Sequence, residues 1–280
     1  MKQKILKTLA ALILVILPFL VGASIGKYSP YLETNSFTAY VAIWSVISMA
    51  FAAIIFLFLR YFQLDRVGVL LFLLICPMVG IIGLAAPPDL SVKMLEHPER
   101  EHLRYIMLFI AAAIFGLLTL FLFKGNVLTI KGSGRWIITL LFVLSFVEFI
   151  WEFTHHYLYP EGLKVWISEG KNAEDFGKNY DNFSIIGIGV MGRYVQFISI
   201  IWLSLHLYKL KQIKIWNPIL VSIFGLFGIV SATVIYVTEM NIPKGFEFLF
   251  LFFIPGIPFL LLYWLGVALL TNFRRKNAMA

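Results

Sequence analysis

An all-α, polytopic integral membrane bundle is the fold class this sequence predicts, and three observations predict it. The 280-residue chain is 60% hydrophobic and only 14% charged, with a mean hydropathy of +0.88, whereas a soluble domain is about 25% charged. Its charges are separated by continuous apolar runs of about 20 residues, the length that crosses a bilayer. Those runs do not alternate in polarity, so no β-barrel pattern competes, and each run reads as a helix that pairs its own backbone groups.

Reading between charges gives about eight transmembrane helices, at 8–26, 36–59, 67–88, 105–123, 136–159, 183–208, 216–238 and 246–272. The first follows Lys2, Lys4 and Lys7 and ends near Val21-Gly22-Ala23, which has the small-residue character of a signal-peptide cleavage site. Its apolar stretch is long for a signal sequence, which favours an uncleaved first helix; cleavage would leave seven spans. Cys76-Pro77 interrupts the third run, and Cys76, the single cysteine, excludes an internal disulfide framework or a multi-cysteine metal site. The two longest connections, 89–104 and 160–182, are polar and too short to be domains. His97 and His102 fall in the first of these and are expected to be solvated.

The net charge of +8 resolves into a topology signal once each charge is placed. With the N- and C-termini in the cytoplasm, fourteen of the 23 basic residues flank spans on the inner side, against one acid, Asp65. The outer side holds eight basic and twelve acidic residues. This is the positive-inside distribution of a multi-pass protein. A nucleic-acid surface would gather its basic residues on one folded face, so nucleic acid is excluded as a partner. The expected partners are the membrane and a hydrophobic small molecule or lipid; the oligomeric state is not determined.

Three ionisable residues lie deep inside spans: Glu148 and Glu152 on the fifth, and Arg193 on the sixth. Charges at that depth are costly and normally face a cavity or a partner, which makes them site candidates. Helical spacing gathers Glu148, Glu152, His155 and Tyr159 on one face, and pairs Arg193 with Gln196. At 1.5 Å per residue, Glu152 and Glu148 lie roughly 12 and 18 Å inside Pro160, and Arg193 roughly 16 Å inside an N-cap at Asp181-Asn182. In the last span, Pro255-Gly256-Ile257-Pro258 should break the helical ladder at a similar level and free carbonyls there. Trp151, one turn from Glu148, is a candidate pocket wall. Two carboxylates with one arginine leave a surplus acid, and a neutral carboxylic acid in an apolar cavity can donate a proton. The plainer alternative is an ion pair that only fixes helix packing. Neither a metal nor another cofactor is expected: the Glu152-x-x-His155 spacing lacks the second copy of a di-metal bundle site, and no lysine lies within a span to form a Schiff base.

From residue 103 onward, span order and local matches resemble the EXPERA family of emopamil-binding-protein-like sterol isomerases. A helix leads into Gly134-Arg135-Trp136, then comes the acidic helix Phe146–Tyr157 and a polar loop closing in Asp181-Asn182-Phe183. The next helix ends near Trp202, one more finishes Tyr236-Val237-Thr238-Glu239, and an aromatic-rich helix completes the set. The resemblance covers about 103–272 and implies a five-helix unit enclosing an intramembrane cavity for a sterol or an amine-bearing drug. It leaves 1–100 as three additional helices and 273–280 as a basic cytoplasmic tail. The family moves a proton with a His-x-x-x-Glu pair and a glutamate on the following helix. Glu152 matches the family's glutamate, whereas Glu148 stands at the histidine position. The following helix has Ile188 or Gly189 where the second glutamate belongs. The family's last-helix asparagine and tryptophan fall in the Pro255–Pro258 break, and Arg193 is an addition.

These observations lead to one principal expectation: an intramembrane cavity for a sterol, isoprenoid or similar hydrophobe. Glu148 and Glu152 would shuttle a proton if a double bond is isomerised there, and Trp151, His155, Arg193, Gln196, Tyr236, Pro255 and Gly256 would form the ligand site. A non-catalytic lipid binder, carrier or sensor is the alternative, and a proton-coupled transporter ranks third.

Overall fold

A computed structural model describes residues 90–124, 133–254 and 256–271, together with 12–19 and scattered positions before residue 51. The third predicted span, all but scattered positions of the second, Cys76-Pro77, the Val21–Ala23 segment, Pro255 and the basic tail lie outside the described residues.

The described residues are helical, and their boundaries follow local chemistry. Helix α1, Pro98–Lys124, starts on a proline with Glu99 and Glu101 in its first turn. Proline has no N–H to leave unsatisfied there, and the acids complement the helix dipole. Its apolar stretch Leu108–Leu117 lies within the predicted fourth span. Helix α2, Ser133–Tyr157, carries the two buried glutamates and is followed by α3, Tyr159–Ser168, with Pro160 in its first turn. Helix α4, Phe176–Tyr180, is one short turn. Helix α5, Phe183–Lys209, begins where the Asn182 side chain accepts from the backbone N–H of Ser184 and Ile185 at 3.1 and 3.3 Å. That satisfies two otherwise orphaned donors. Helix α6 is Trp216–Val237.

The last predicted span is broken. Helix α7, Phe250–Phe253, and helix α8, Gly256–Thr271, meet at a 60° bend. Proline removes ladder donors and crowds the preceding turn, so a sequence with prolines at 255 and 258 cannot continue straight.

By length and composition, three stretches among the described residues can cross a membrane: Ser133–Ser168, Phe183–Lys209 and Trp216–Val237. The bent pair makes a fourth if it is one span. Their outer faces carry exposed apolar side chains such as Ile137, Leu140, Ile219 and Leu226, which suits lipid rather than water.

Helices α1, α2, α5 and α6 pack in that order, each against the next, and α8 docks on α5 and α6. Close approach of α5 and α6 depends on glycine. A Cβ on Gly228 would overlap the Phe197 ring, and one on Gly225 would lie 2.7 Å from Ile201 Cδ1. Helix α8 is buried on every side, including Phe259, Tyr263 and Val267, as expected of a helix that is hydrophobic all round. Part of its cover is the helical segment 12–19: Tyr263 Oη donates to the Leu14 carbonyl at 2.5 Å, and Trp264 Nε1 to that of Val15 at 3.1 Å.

The connection 160–182 departs from the loop expected there. It folds into α3, a 3₁₀ turn at Ala173–Asp175 and α4, around a small core of Met94, Tyr159, Leu163 and Phe176. Apolar residues at helical spacing let this segment bury surface of its own. His102 likewise differs from expectation, because its ring stacks on Tyr157 at 4.5 Å, while His97 sits beside Glu99 at 3.2 Å.

Candidate functional site

Glu148 and Glu152 stand one turn apart on α2, and Arg193 and Gln196 face them from α5; all four are buried. The guanidinium of Arg193 donates from Nη2 to Glu152 Oε1 at 2.5 Å and from Nη1 to Gln196 Oε1 at 2.9 Å. Gln196 passes the interaction on, donating from Nε2 to Glu148 Oε2. Arg193 Nη1 itself lies 3.6 Å from that oxygen. Glu152 thus holds the arginine directly, whereas Glu148 is reached mainly through an amide. A buried charge is tolerated only when paired and hydrogen-bonded, and this network provides both.

The third side of the guanidinium explains the broken helix. Arg193 Nε donates to the carbonyl of Phe253 at 2.6 Å. In a continuous helix that carbonyl would accept from the N–H of residue 257, but Ile257 N–H turns to Ile254 O at 3.2 Å. The bend frees one carbonyl, and Arg193 supplies its hydrogen bond.

Two spaces adjoin the cluster. A groove of about 790 Å³ runs between α2 and α5 and reaches Tyr236 on α6. Its walls are mostly apolar, with Glu148, Trp151, Ser184 and Gly192 among them, and Val147 and Met191 on its rim are exposed on the apolar perimeter. The groove therefore opens onto the exposed apolar face of these helices. The second space is a chamber of about 80 Å³ lined by Glu152, His155, His156, Asp181, Arg193 and Phe253, among others. Trp151 borders both. Glu148 Oε1 and Glu152 Oε2 are buried and accept no hydrogen bond among the described residues.

Gly192 explains how Glu148 fits. A Cβ at that position would overlap the Cγ, Cδ and Oε1 atoms of Glu148. The absent side chain is what allows the carboxyl to lie against α5.

The structure brings most of the sequence-predicted residues together and separates them by space. Glu148, Trp151 and Tyr236 line the groove; Glu152, His155 and Arg193 line the chamber; Gln196 links Arg193 to Glu148. His155 turns from the groove to Asp181, with Nε2 and Oδ1 2.7 Å apart, and stacks between Trp151 and Tyr180 at 5.1 and 4.4 Å. Gly256 is buried just past the bend and lines neither space. Sequence reasoning passed over Asp181 as a wall residue, His156, Ser184 and Gly192. The run Gly187, Gly189, Gly192 was a usable signal, because small residues at such spacing mark where helices approach closely in membranes.

Among the described residues no group of His, Cys, Asp and Glu is arranged to hold a metal ion. The fold and site define a helical protein with long apolar helices able to cross a membrane, and an acid–arginine–amide network buried between two of them. No protein family, no curated protein and no solved structure matches this chain.

Proposed function

We propose that this is a multi-pass membrane protein that binds a sterol, isoprenoid or similarly rigid hydrophobe in the α2–α5–α6 groove, on the EXPERA-like plan that residues 103–272 resemble. The observation that carries the reading is the groove itself: about 790 Å³ of mostly apolar space, with the carboxyl group of Glu148 in its wall. Small-molecule sites typically enclose roughly 300–1,000 Å³ and combine apolar walls with a few placed polar groups.

The same wall supports chemistry. Glu152 gives its Oε1 to Arg193 and lines the chamber rather than the groove, so Glu148 is the carboxyl available to carry a proton into the groove. Glu148 would give that proton to one carbon of a double bond and take one back from a neighbouring carbon. The bond moves, mass is unchanged, and no cofactor takes part. Glu152 acts here as a positioning residue, holding the arginine that organises Gln196.

The test is extraction of the purified protein followed by lipid mass spectrometry, then incubation with a panel of sterols and isoprenoids. A co-purifying hydrophobe and a mass-neutral, retention-shifted product are expected from the wild type. Glu148→Gln should keep binding and lose the product. Binding without conversion across the panel would make the protein a carrier or sensor. Failure of every hydrophobe to bind would sink the reading.

A further inference from the structure

The groove accounts for Glu148 but leaves the unpartnered Glu152 Oε2 without a role, and Glu152 lines the other space. We infer that the chamber is a hydrated proton inlet, through which Glu152 exchanges protons with the polar cap formed by residues 158–182. The ligand is water, held between Asp181 at the mouth and Glu152 at the floor.

Size and chemistry agree on this occupant. At about 30 Å³ per water in the liquid, the 80 Å³ chamber takes two or three molecules. A buried water needs two to four polar partners, and the walls offer them. Glu152 Oε2 and His156 Nδ1 are buried and unpartnered among the described residues, and Glu152 is only 5% exposed. Arg193 on the same wall disfavours a cation.

The groups facing the chamber come from every surrounding element. Helix α2 contributes Glu152, His155 and His156; the turn before α5 contributes Asp181; α5 contributes Arg193. Met240, after α6, and Phe253, at the end of α7, add only apolar surface. At the mouth, His155 Nε2 fixes Asp181, and Tyr180 Oη donates to the His155 carbonyl at 2.7 Å. The Asp181 side chain keeps 22% exposure, so it meets both the outside and the chamber. A proton taken up at Asp181 passes along the waters to Glu152 Oε2, one O–H bond breaking as the next forms, with no change of oxidation state. The route bypasses the groove, so the inlet does not depend on what fills the groove.

Gly189 provides a selective plug. It lines the chamber but not the groove, and a Cβ there would meet only Phe253 Cζ, at 3.8 Å. Gly189→Leu should therefore fill the chamber without disturbing the hydrophobe site. The experiment is infrared spectroscopy of the full chain in nanodiscs, switched from H₂O to D₂O. The Glu152 signal is assigned by its loss in Glu152→Gln; it shifts on deuteration of its own O–H if the group is protonated, and on deuteration of the water bound to it if it is ionised. In the wild type this signal should exchange within the mixing time. In Gly189→Leu exchange has to wait for local opening and should slow at least about tenfold. Asp181→Asn should slow it less, because the waters stay while the proton collector is lost. Hydroxyl-radical footprinting of His156 supplies a second readout, with labelling expected to fall in Gly189→Leu. Unchanged exchange and unchanged labelling in the plugged variant would overturn the inlet. So would exchange that instead stops when a hydrophobe occupies the groove.

Discussion

Arg193 and Phe253 are joined across the break in the last span, the guanidinium Nε lying 2.6 Å from the Phe253 carbonyl oxygen. The same side chain grips Glu152 and Gln196, so one residue on α5 ties the acidic helix to the bent C-terminal pair. Its Cζ also lies 5.5 Å from the centre of the Phe253 ring. The bend and the charge cluster are therefore one structural unit.

Replacing Arg193 by lysine tests that unity. An ammonium on a flexible stem lacks the planar fork that reaches three acceptors in fixed directions. Arg193→Lys should leave the Phe253 carbonyl unsatisfied and cost about 1–3 kcal/mol, read as a lowered midpoint of thermal unfolding in detergent.

The two glutamates should respond unequally to neutralisation. Glu152→Gln removes the direct counter-charge of a buried arginine, a change that costs about 3–5 kcal/mol in comparable pairs. Glu148→Gln leaves that contact in place and retains an oxygen that can accept from Gln196, so its loss should be clearly smaller. Equal destabilisation of the two variants in parallel unfolding curves would contradict the assigned pairing.

Two glycines on facing helices separate site effects from packing effects. Gly192→Ala forces the Glu148 side chain aside, and overpacking of this kind costs about 1–3 kcal/mol. It should also weaken hydrophobe binding, because the displaced carboxyl enters the groove. Gly228→Ala strikes the Phe197 ring instead. It should destabilise the protein comparably while leaving the affinity of the folded fraction nearly unchanged, as measured by lipid titration.

Alkaline pH should loosen the cap. Burial, and then the Asp181 carboxylate, raise the Tyr180 hydroxyl above its usual value. A phenol held neutral by the fold contributes no pH dependence below its unfolded pKa near 10. Above that pH the unfolded chain loses the proton first, so stability falls as pH rises through the folded pKa. Tyr180→Phe should flatten part of this alkaline limb, at the expense of the hydrogen bond to the His155 carbonyl.

Much of the site is legible in the sequence. The four-residue spacing of Glu148 and Glu152, the three-residue spacing of Arg193 and Gln196, the cap at Asn182 and the break around 255–258 are consequences of chain-local geometry. Depth counting placed Arg193 between the two acids, and its contacts at 2.5 and 3.6 Å agree. The cap at 158–182 was less legible, because its core joins Met94 to Tyr159 and Phe176 across many residues of sequence.

Local sequence thus determined which residues share a helix face, where α5 is capped and where the last span breaks. Those properties depend on 3.6-residue periodicity, capping chemistry and the lack of a proline N–H. Tertiary structure alone decided which space each charge faces. Glu148 meets the groove and Glu152 the chamber because glycine at 192 admits one carboxyl against α5 while Arg193 draws the other toward the bend. A helix specifies the angle between its own side chains. Rotation about its axis, and hence the partner each side chain meets, is settled by the neighbours it packs against.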